Sequence, residues 1–229
     1  MACILNLETA TPVCSVALAK DGVLLSMREV SNGFTHSENI TNFINEVCIE
    51  ANIALSEIDA VAVSKGPGSY TGLRIGTSTA KGLCYALEKP LLAIDTLKSL
   101  TACLLSVSNF ETGTLFVPMI DARRMEVYYA VYNNQLEEII PATALVISPD
   151  SFSDLTSNRR IILFGDGSAK CKPIFESVAD VQFSDITLSA LGMMKLSEEK
   201  FSRNEFENVS LFEPFYLKEP SIGNSHRIV

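Results

Sequence analysis

Histidine is nearly absent from this 229-residue chain, occurring only at positions 36 and 226. A metal centre built on histidines at fixed spacing therefore cannot be assembled from one protomer. Six cysteines lie scattered at positions 3, 14, 48, 84, 103 and 171 with no C-x-x-C pair, so reduced core thiols are expected rather than a zinc or redox motif. Long apolar runs are missing too. Stretches such as Ala144-Leu145-Val146-Ile147 fall far short of the ~20 residues that cross a bilayer. No basic segment precedes Glu8, which disfavours a signal peptide and makes the cytoplasm the expected location. Positive charge is in deficit, with 18 Lys and Arg against 27 Asp and Glu for a net −9 spread along the chain. Neither a DNA nor an RNA surface is expected from that balance, and any RNA chemistry would leave the RNA to a partner.

What is present is a chain with 47% hydrophobic residues, enough to bury a core in one large domain or two small ones. Three strands are predicted first, over residues 3 to 8, 13 to 18 and 23 to 30, joined by the turns Thr9-Ala10-Thr11-Pro12 and Lys20-Asp21-Gly22. Ile40, Phe43, Ile44 and Val47 then recur at spacings of three and four, the stripe of an amphipathic helix over 36 to 51. A strand over 58 to 64, a helix over 77 to 87 stopped by Pro90, a strand over 91 to 94 and a helix over 96 to 106 follow. A second half opens near Thr112-Gly113-Thr114 with strands over 115 to 120, 125 to 132 and 136 to 140. It continues with a strand over 161 to 164 and helices ending near 177 and spanning 185 to 202. The repeated meander predicts two related α/β lobes, 1–108 and 109–229, with the last residues, about 203–229, returning to the first. Such an architecture is that of the actin-like and hexokinase-like (ASKHA) ATPase fold.

Between the strand ending near Ser64 and the helix lies Gly66-Pro67-Gly68-Ser69-Tyr70-Thr71-Gly72-Leu73-Arg74-Ile75-Gly76. Glycines permit positive φ or close approach, and Ser69 or Thr71 can cap a helix whose free N–H groups suit an anion. A tight connection without ligand is the competing reading. Gly72, Gly76, Ala80 and Cys84 stand four apart, a ridge of small side chains made for close packing, while Thr77, Ser78, Thr79 and Gly82 make other faces small as well. Glu8 and Thr9, with Gly165 and Gly167 of Gly165-Asp166-Gly167-Ser168, are candidate degenerate nucleotide contacts. The first turn nevertheless lacks glycine, and Pro12 removes an N–H. His36-Ser37-Glu38 cannot be a catalytic trio, because neighbours on a helix diverge. Ser37 or its neighbourhood reads as an N-cap, His36 as a structural or interface group, and Asp121 with Arg123-Arg124 as hairpin stabilisers.

The chain resembles the TsaB family, also called YeaZ, in Ile4 to Thr11, Cys14 to Leu18, His36-Ser37-Glu38, the glycine stretch, Asp121 to Tyr128 and Pro214-Phe215-Tyr216-Leu217. The resemblance covers nearly the whole chain. It implies a non-catalytic paralogue of TsaD that TsaD requires for threonylcarbamoyl transfer to adenosine 37 of tRNAs reading codons that start with A. It implies no cofactor of its own, with ATP or ADP only at the junction with TsaD. Further implications are TsaE as a second partner, a homodimer when TsaD is absent, and tRNA contact only through the complex. Thr96 and Leu100 stand where TsaD carries its metal-binding histidines. An interface is expected from Asn39, Ile40, Phe43 and Val47 of the first helix, with Ser69, Tyr70, Leu73, Arg74, Gly76, Thr77, Ala80, Lys81 and Cys84. The alternative is an ATP-binding phosphotransferase or ATPase of the same fold.

Overall fold

A computed structural model describes residues 2–31, 36–156 and 159–218. The first lobe is built from β1 (Cys3–Glu8), β2 (Cys14–Lys20), β3 (Val23–Val30), α1 (His36–Ala51), β4 (Ala60–Gly66), α2 (Tyr70–Leu87), β5 (Leu91–Asp95) and α3 (Thr96–Val107). The second holds β6 (Leu115–Asp121), β7 (Glu126–Tyr132), β8 (Glu138–Val146), α4 (Ser153–Thr156), β9 (Ile161–Phe164), α5 (Lys172–Phe175), β10 (Val181–Ser184) and α6 (Met194–Ser202). The sheets are ordered β3-β2-β1-β4-β5 and β8-β7-β6-β9-β10. In each, the first three strands are antiparallel and the last two join in parallel. The duplication read from the element order is thus exact in topology, strand for strand.

β1 is buried at all six positions because both faces of its sheet are covered. Leu5 and Leu7 pack under α1 and α2 with Ile40, Ile44 and Val47 of the α1 stripe. Burying each such side chain contributes about 1.5–3 kcal/mol. On the other face Ile4, Ala62 and Ile94 meet Ala190, Met193 and Leu196. The chain therefore crosses back onto the first sheet from Ala190 onward. Ser197 Oγ of α6 donates 2.8 Å to Asn6 Oδ1 inside β1, satisfying a buried amide. Between the lobes, Leu97, Leu100 and Leu104 of α3 pack on Phe116, Ile120, Tyr132 and Phe164. A fourth cluster, with Val117, Leu163, Phe152 and Phe175, covers the outer face of the second sheet.

Several elements differ from their sequence reading. α2 begins at Tyr70, inside the glycine stretch, and ends because Glu88 turns left-handed (φ 54°) with its N–H on the Cys84 carbonyl, two residues before Pro90. β8 runs over 138 to 146 rather than 136 to 140. It is an edge strand, so Pro141 needs no ladder partner on its open side. The helix expected over 185 to 202 is confined to α6 and a short 3-10 turn at Ala190–Met193, and β10 precedes it. After Gly165 the chain makes only a 3-10 turn and the four-residue α5. Ser37 lies within α1 and is no cap, while the neighbouring positions 32–35, where the cap is otherwise expected, lie outside the described residues. His226 and the tail from 219 lie outside the described residues.

Candidate docking site

The glycine stretch is shaped by the turn that follows β1. Ser69 caps α2, its Oγ accepting the Gly72 N–H at 3.3 Å, and its own N–H reaches the Ala10 carbonyl at 2.7 Å. Thr9 Oγ1 donates to the Gly72 carbonyl at 2.8 Å. A Cβ on Gly72 would stand 2.1 Å from the Thr9 carbonyl oxygen, and one on Gly76 would stand 2.3 Å from Thr9 Oγ1. The ridge of Gly72, Gly76, Ala80 and Cys84 is buried and faces the chain's own first lobe. That corrects the reading in which this ridge offers itself to a partner.

The open side of α2 is the adjoining face. Thr71, Ile75, Ser78, Thr79 and Gly82 border a groove against α1, which contributes Ser37, Ile40, Thr41, Ile44 and Asn45. Its two contiguous parts measure about 1310 and 530 Å³ and share Thr41, Ser78 and Thr79. A Cβ on Gly82 would meet nothing within 4 Å. Ile49 of α1 and Tyr85 of α2 lie on the same pair of helices with 70% and 85% of their surface in solvent, so large apolar groups stand ready beside small ones.

The expected interface residues divide accordingly. Tyr70 and Arg74 border the groove, with the Arg74 guanidinium 4.2 Å above the Tyr70 ring. Asn39, Phe43 and Ser69 are half-buried along its helices. Ile40, Val47, Leu73, Gly76, Thr77, Ala80 and Cys84 are buried in the lobe, Ile40 alone among them reaching the groove floor. Lys81 holds the Ser210 and Phe212 carbonyls at 3.1 and 3.0 Å.

Those carbonyls belong to a segment, 207–218, within the tail expected from the sequence to return to the first lobe. Glu207 pairs with Leu91 on the edge of β5, and the Phe215 N–H reaches the Lys65 carbonyl at 2.6 Å. Gly66 (φ 115°) is required there, since its Cβ would stand 2.4 Å from the Phe215 carbonyl oxygen. Tyr216 lies 4.9 Å from the Tyr70 ring, and Lys218 pairs with Glu126 on β7 of the second lobe. The segment thus straps one lobe to the other beside the start of α2. The contact with β7 of the second lobe is not legible in the sequence, where Pro214-Phe215-Tyr216-Leu217 stands out only as part of the family resemblance.

The two turns proposed as nucleotide contacts direct much of their polar chemistry inward. Glu8 is fully buried. Its Oε1 accepts the Ala10 N–H at 2.7 Å and the Ser64 hydroxyl at 2.8 Å, while Oε2 has no hydrogen-bond partner among the described residues. Burial pushes its pKa up to about 7 against these hydrogen bonds. Gly165 and Gly167 pack on β6: their Cβ positions would meet the Met119 carbonyl oxygen at 2.3 Å and the Ile120 carbonyl carbon at 2.9 Å. Gly167 N–H bonds to Met119, and Asp166 Oδ1 accepts the Asp121 N–H at 3.1 Å. Thr96 Oγ1 accepts the Gly66 N–H at 3.0 Å, and Leu100 is buried between the lobes. Both positions are structural. His36 is buried, its Nε2 2.8 Å from the Thr11 carbonyl, with no hydrogen-bond partner for Nδ1 among the described residues. All six cysteines are buried and unpaired, and burial lifts the thiols of Cys14, Cys84 and Cys103 to about 11, far from a reactive thiolate. No group of three or more His, Cys, Asp or Glu that could hold a metal occurs among the described residues.

Two lobes with one five-stranded topology, a hydrophobic junction between them and paired strand-to-helix turns at that junction define the actin-like, hexokinase-like fold class. The activator of the 2-hydroxyisocaproyl-CoA dehydratase from Clostridium difficile shares this fold at TM-score 0.50 and 10% identity, covering 90% of this chain and 98% of that one. The chain itself belongs to the TsaB (YeaZ) family. Residues 33–224 match the family model described as "TsaD: tRNA N6-adenosine threonylcarbamoyltransferase". The protein named tRNA threonylcarbamoyladenosine biosynthesis protein TsaB in Haemophilus influenzae is 30% identical, over 94% of this chain and 93% of that one. Its namesake in Bacillus subtilis is 29% identical over 76% of each. The structure of YeaZ from Pseudomonas aeruginosa superposes with TM-score 0.78 at 26% identity, covering 95% of this chain and all of that one.

Proposed function

We propose that this chain takes part in forming threonylcarbamoyladenosine in tRNA, as the subunit that activates a TsaD-type transferase acting on adenosine 37 of tRNAs reading ANN codons. It is not itself the catalyst. The observation that carries this reading is the α1–α2 groove, lined on α2 by Ser78, Thr79 and Gly82 and left open in the single chain. Small residues on a helix let another backbone approach closely, and a structurally similar partner would lay its own helices there. In the partner's absence a second copy takes the same face. The structural use of Thr96 and Leu100, at the positions of the transferase's histidines, supports a non-catalytic role. The chain has no cofactor of its own in this reading, any ATP or ADP being confined to the junction with TsaD, with TsaE as a further member of the complex and the cytoplasm as its location.

Reconstitution tests it. Threonylcarbamoyl transfer to tRNA by the partner enzymes is expected to depend on this chain and to fall when Ser78→Trp fills the groove. Transfer that proceeds equally well without the chain refutes the proposal.

A further inference from the structure

The hairpin between β6 and β7 turns on two arginines in a conformation that arginine rarely adopts. Arg123 has φ 70° and Arg124 φ 51°. Both fall in the left-handed region, where Cβ crowds the backbone and glycine, asparagine or aspartate is the usual occupant. The turn does not use their side chains. It closes through Ala122 N–H to the Glu126 carbonyl (3.1 Å), Glu126 N–H to the Arg123 carbonyl (3.2 Å) and Arg123 N–H to Asp121 Oδ1 (2.9 Å). Both side chains are exposed, and neither guanidinium has an ion-pair partner among the described residues. The carboxylates nearby are already engaged: Asp121 holds Lys170, Glu126 holds Lys218 and Asp166 takes the Asp121 N–H. Two residues ill-suited to the backbone thus stand at the turn with exposed side chains.

The base of the hairpin is tied to the start of α2 through a short run of contacts. Lys218, bonded to Glu126, follows Tyr216 by two residues, and Tyr216 packs on Tyr70 at the start of α2. Two residues of chain span at most about 7 Å. Arg74, over the Tyr70 ring, is a third cation on this end of the molecule. Asp121, Glu126 and Asp166 lie at the same end, the first two paired with Lys170 and Lys218, so Arg123 and Arg124 are left without a carboxylate partner among the described residues in a chain of net charge −9.

We propose that Arg123 and Arg124 form a phosphate-contact point that touches the backbone of the tRNA held by the complex. This rests on the threonylcarbamoyladenosine reading. A guanidinium fork fits a phosphate bidentately, and such contacts position a nucleic acid without reading its sequence. With the rest of the surface acidic, the contact supplements the partner's hold on the tRNA.

The test uses the reconstituted complex, with tRNA retention on filters and transfer measured in parallel for Arg123→Ala/Arg124→Ala, Arg123→Lys/Arg124→Lys and Arg123→Asn/Arg124→Gly. The alanine pair is expected to weaken tRNA retention and raise KM for tRNA about tenfold, with kcat and partner affinity unchanged. The slope of log affinity against log salt should fall by about 1–2, the counterions of one or two phosphates. Lysines should restore part of the loss. The Asn-Gly pair separates charge from architecture: it suits the turn, so it should melt higher than wild type yet retain tRNA as poorly as the alanine pair. Unchanged retention and salt slope overturn the proposal, as does a matching loss of partner affinity, which would place the arginines on a protein surface. A wild-type complex that retains tRNA through these arginines without transferring the group would overturn the proposed function and leave this contact standing.

Discussion

The carbonyl oxygen of Thr9 lies 2.1 Å from where a Cβ on Gly72 would stand, so the turn after β1 and the start of α2 touch backbone to backbone. Sixty-three positions apart in the chain, the two also share the bond from Thr9 Oγ1 to the Gly72 carbonyl.

Gly72→Ala is therefore expected to destabilise the chain by roughly 1–3 kcal/mol, the range for forcing extra atoms into a packed interior. Gly82→Ala, five residues from the end of α2 and open to solvent, should stabilise by about 0.5–1 kcal/mol through the ordinary helix preference. Urea midpoints of the two variants check this. Equal effects would mean that the inner and outer faces of α2 are not distinguished as described.

Glu8 predicts a pH dependence. Its folded pKa is raised from 4.5 to about 7, so the folded state holds a proton that the unfolded chain releases. The resulting stability is fully present below pH ~4.5 and is lost as the pH rises through ~7, a change on the order of 3 kcal/mol. Glu8→Gln stays neutral throughout and should melt higher than wild type at pH 8, with the gap closing or reversing at pH 5. Parallel melting curves across that range would contradict a buried, proton-holding carboxyl.

His36 acts with the opposite sign. Burial lowers its pKa, against the bond to the Thr11 carbonyl that raises it. The unfolded chain takes up the proton first, so this stability is present above pH ~6.5 and is lost as the pH falls through the folded value. His36→Ala should lower the urea midpoint at pH 8 by the equivalent of roughly 1–3 kcal/mol, having left the Thr11 carbonyl unpaired. The deficit should narrow at pH 5.5. A deficit that widens with acid would rule out a neutral buried imidazole.

Gly66→Ala should release the 207–218 strap, because the new methyl meets the Phe215 carbonyl and the residue keeps a left-handed φ. A loss of about 1–3 kcal/mol is expected. Limited proteolysis at the exposed Leu211 should accelerate before global unfolding. Cleavage no faster than in wild type would show that the strap is held independently of this glycine.

Much of the fold was legible in local signals. Ile40, Ile44 and Val47 marked the buried stripe of α1, and Asp21-Gly22 marked the β2–β3 turn, because a 3.6-residue period and a positive φ are written into neighbouring residues. β10 was not: four residues with no clear alternation become a strand only when β9 supplies their hydrogen bonds. The candidate site divides along the same line. The sequence by itself determined that α2 is a helix with small residues on more than one face, since composition and spacing are local properties. Only the tertiary structure decided which of those faces turns inward, because that depends on Thr9 arriving at the end of β1, the strand paired with β4. The Thr9 carbonyl at Gly72 and the Thr9 hydroxyl at Gly76 leave no room for a Cβ, so these two glycines face the core and Ser78, Thr79 and Gly82 border the open groove.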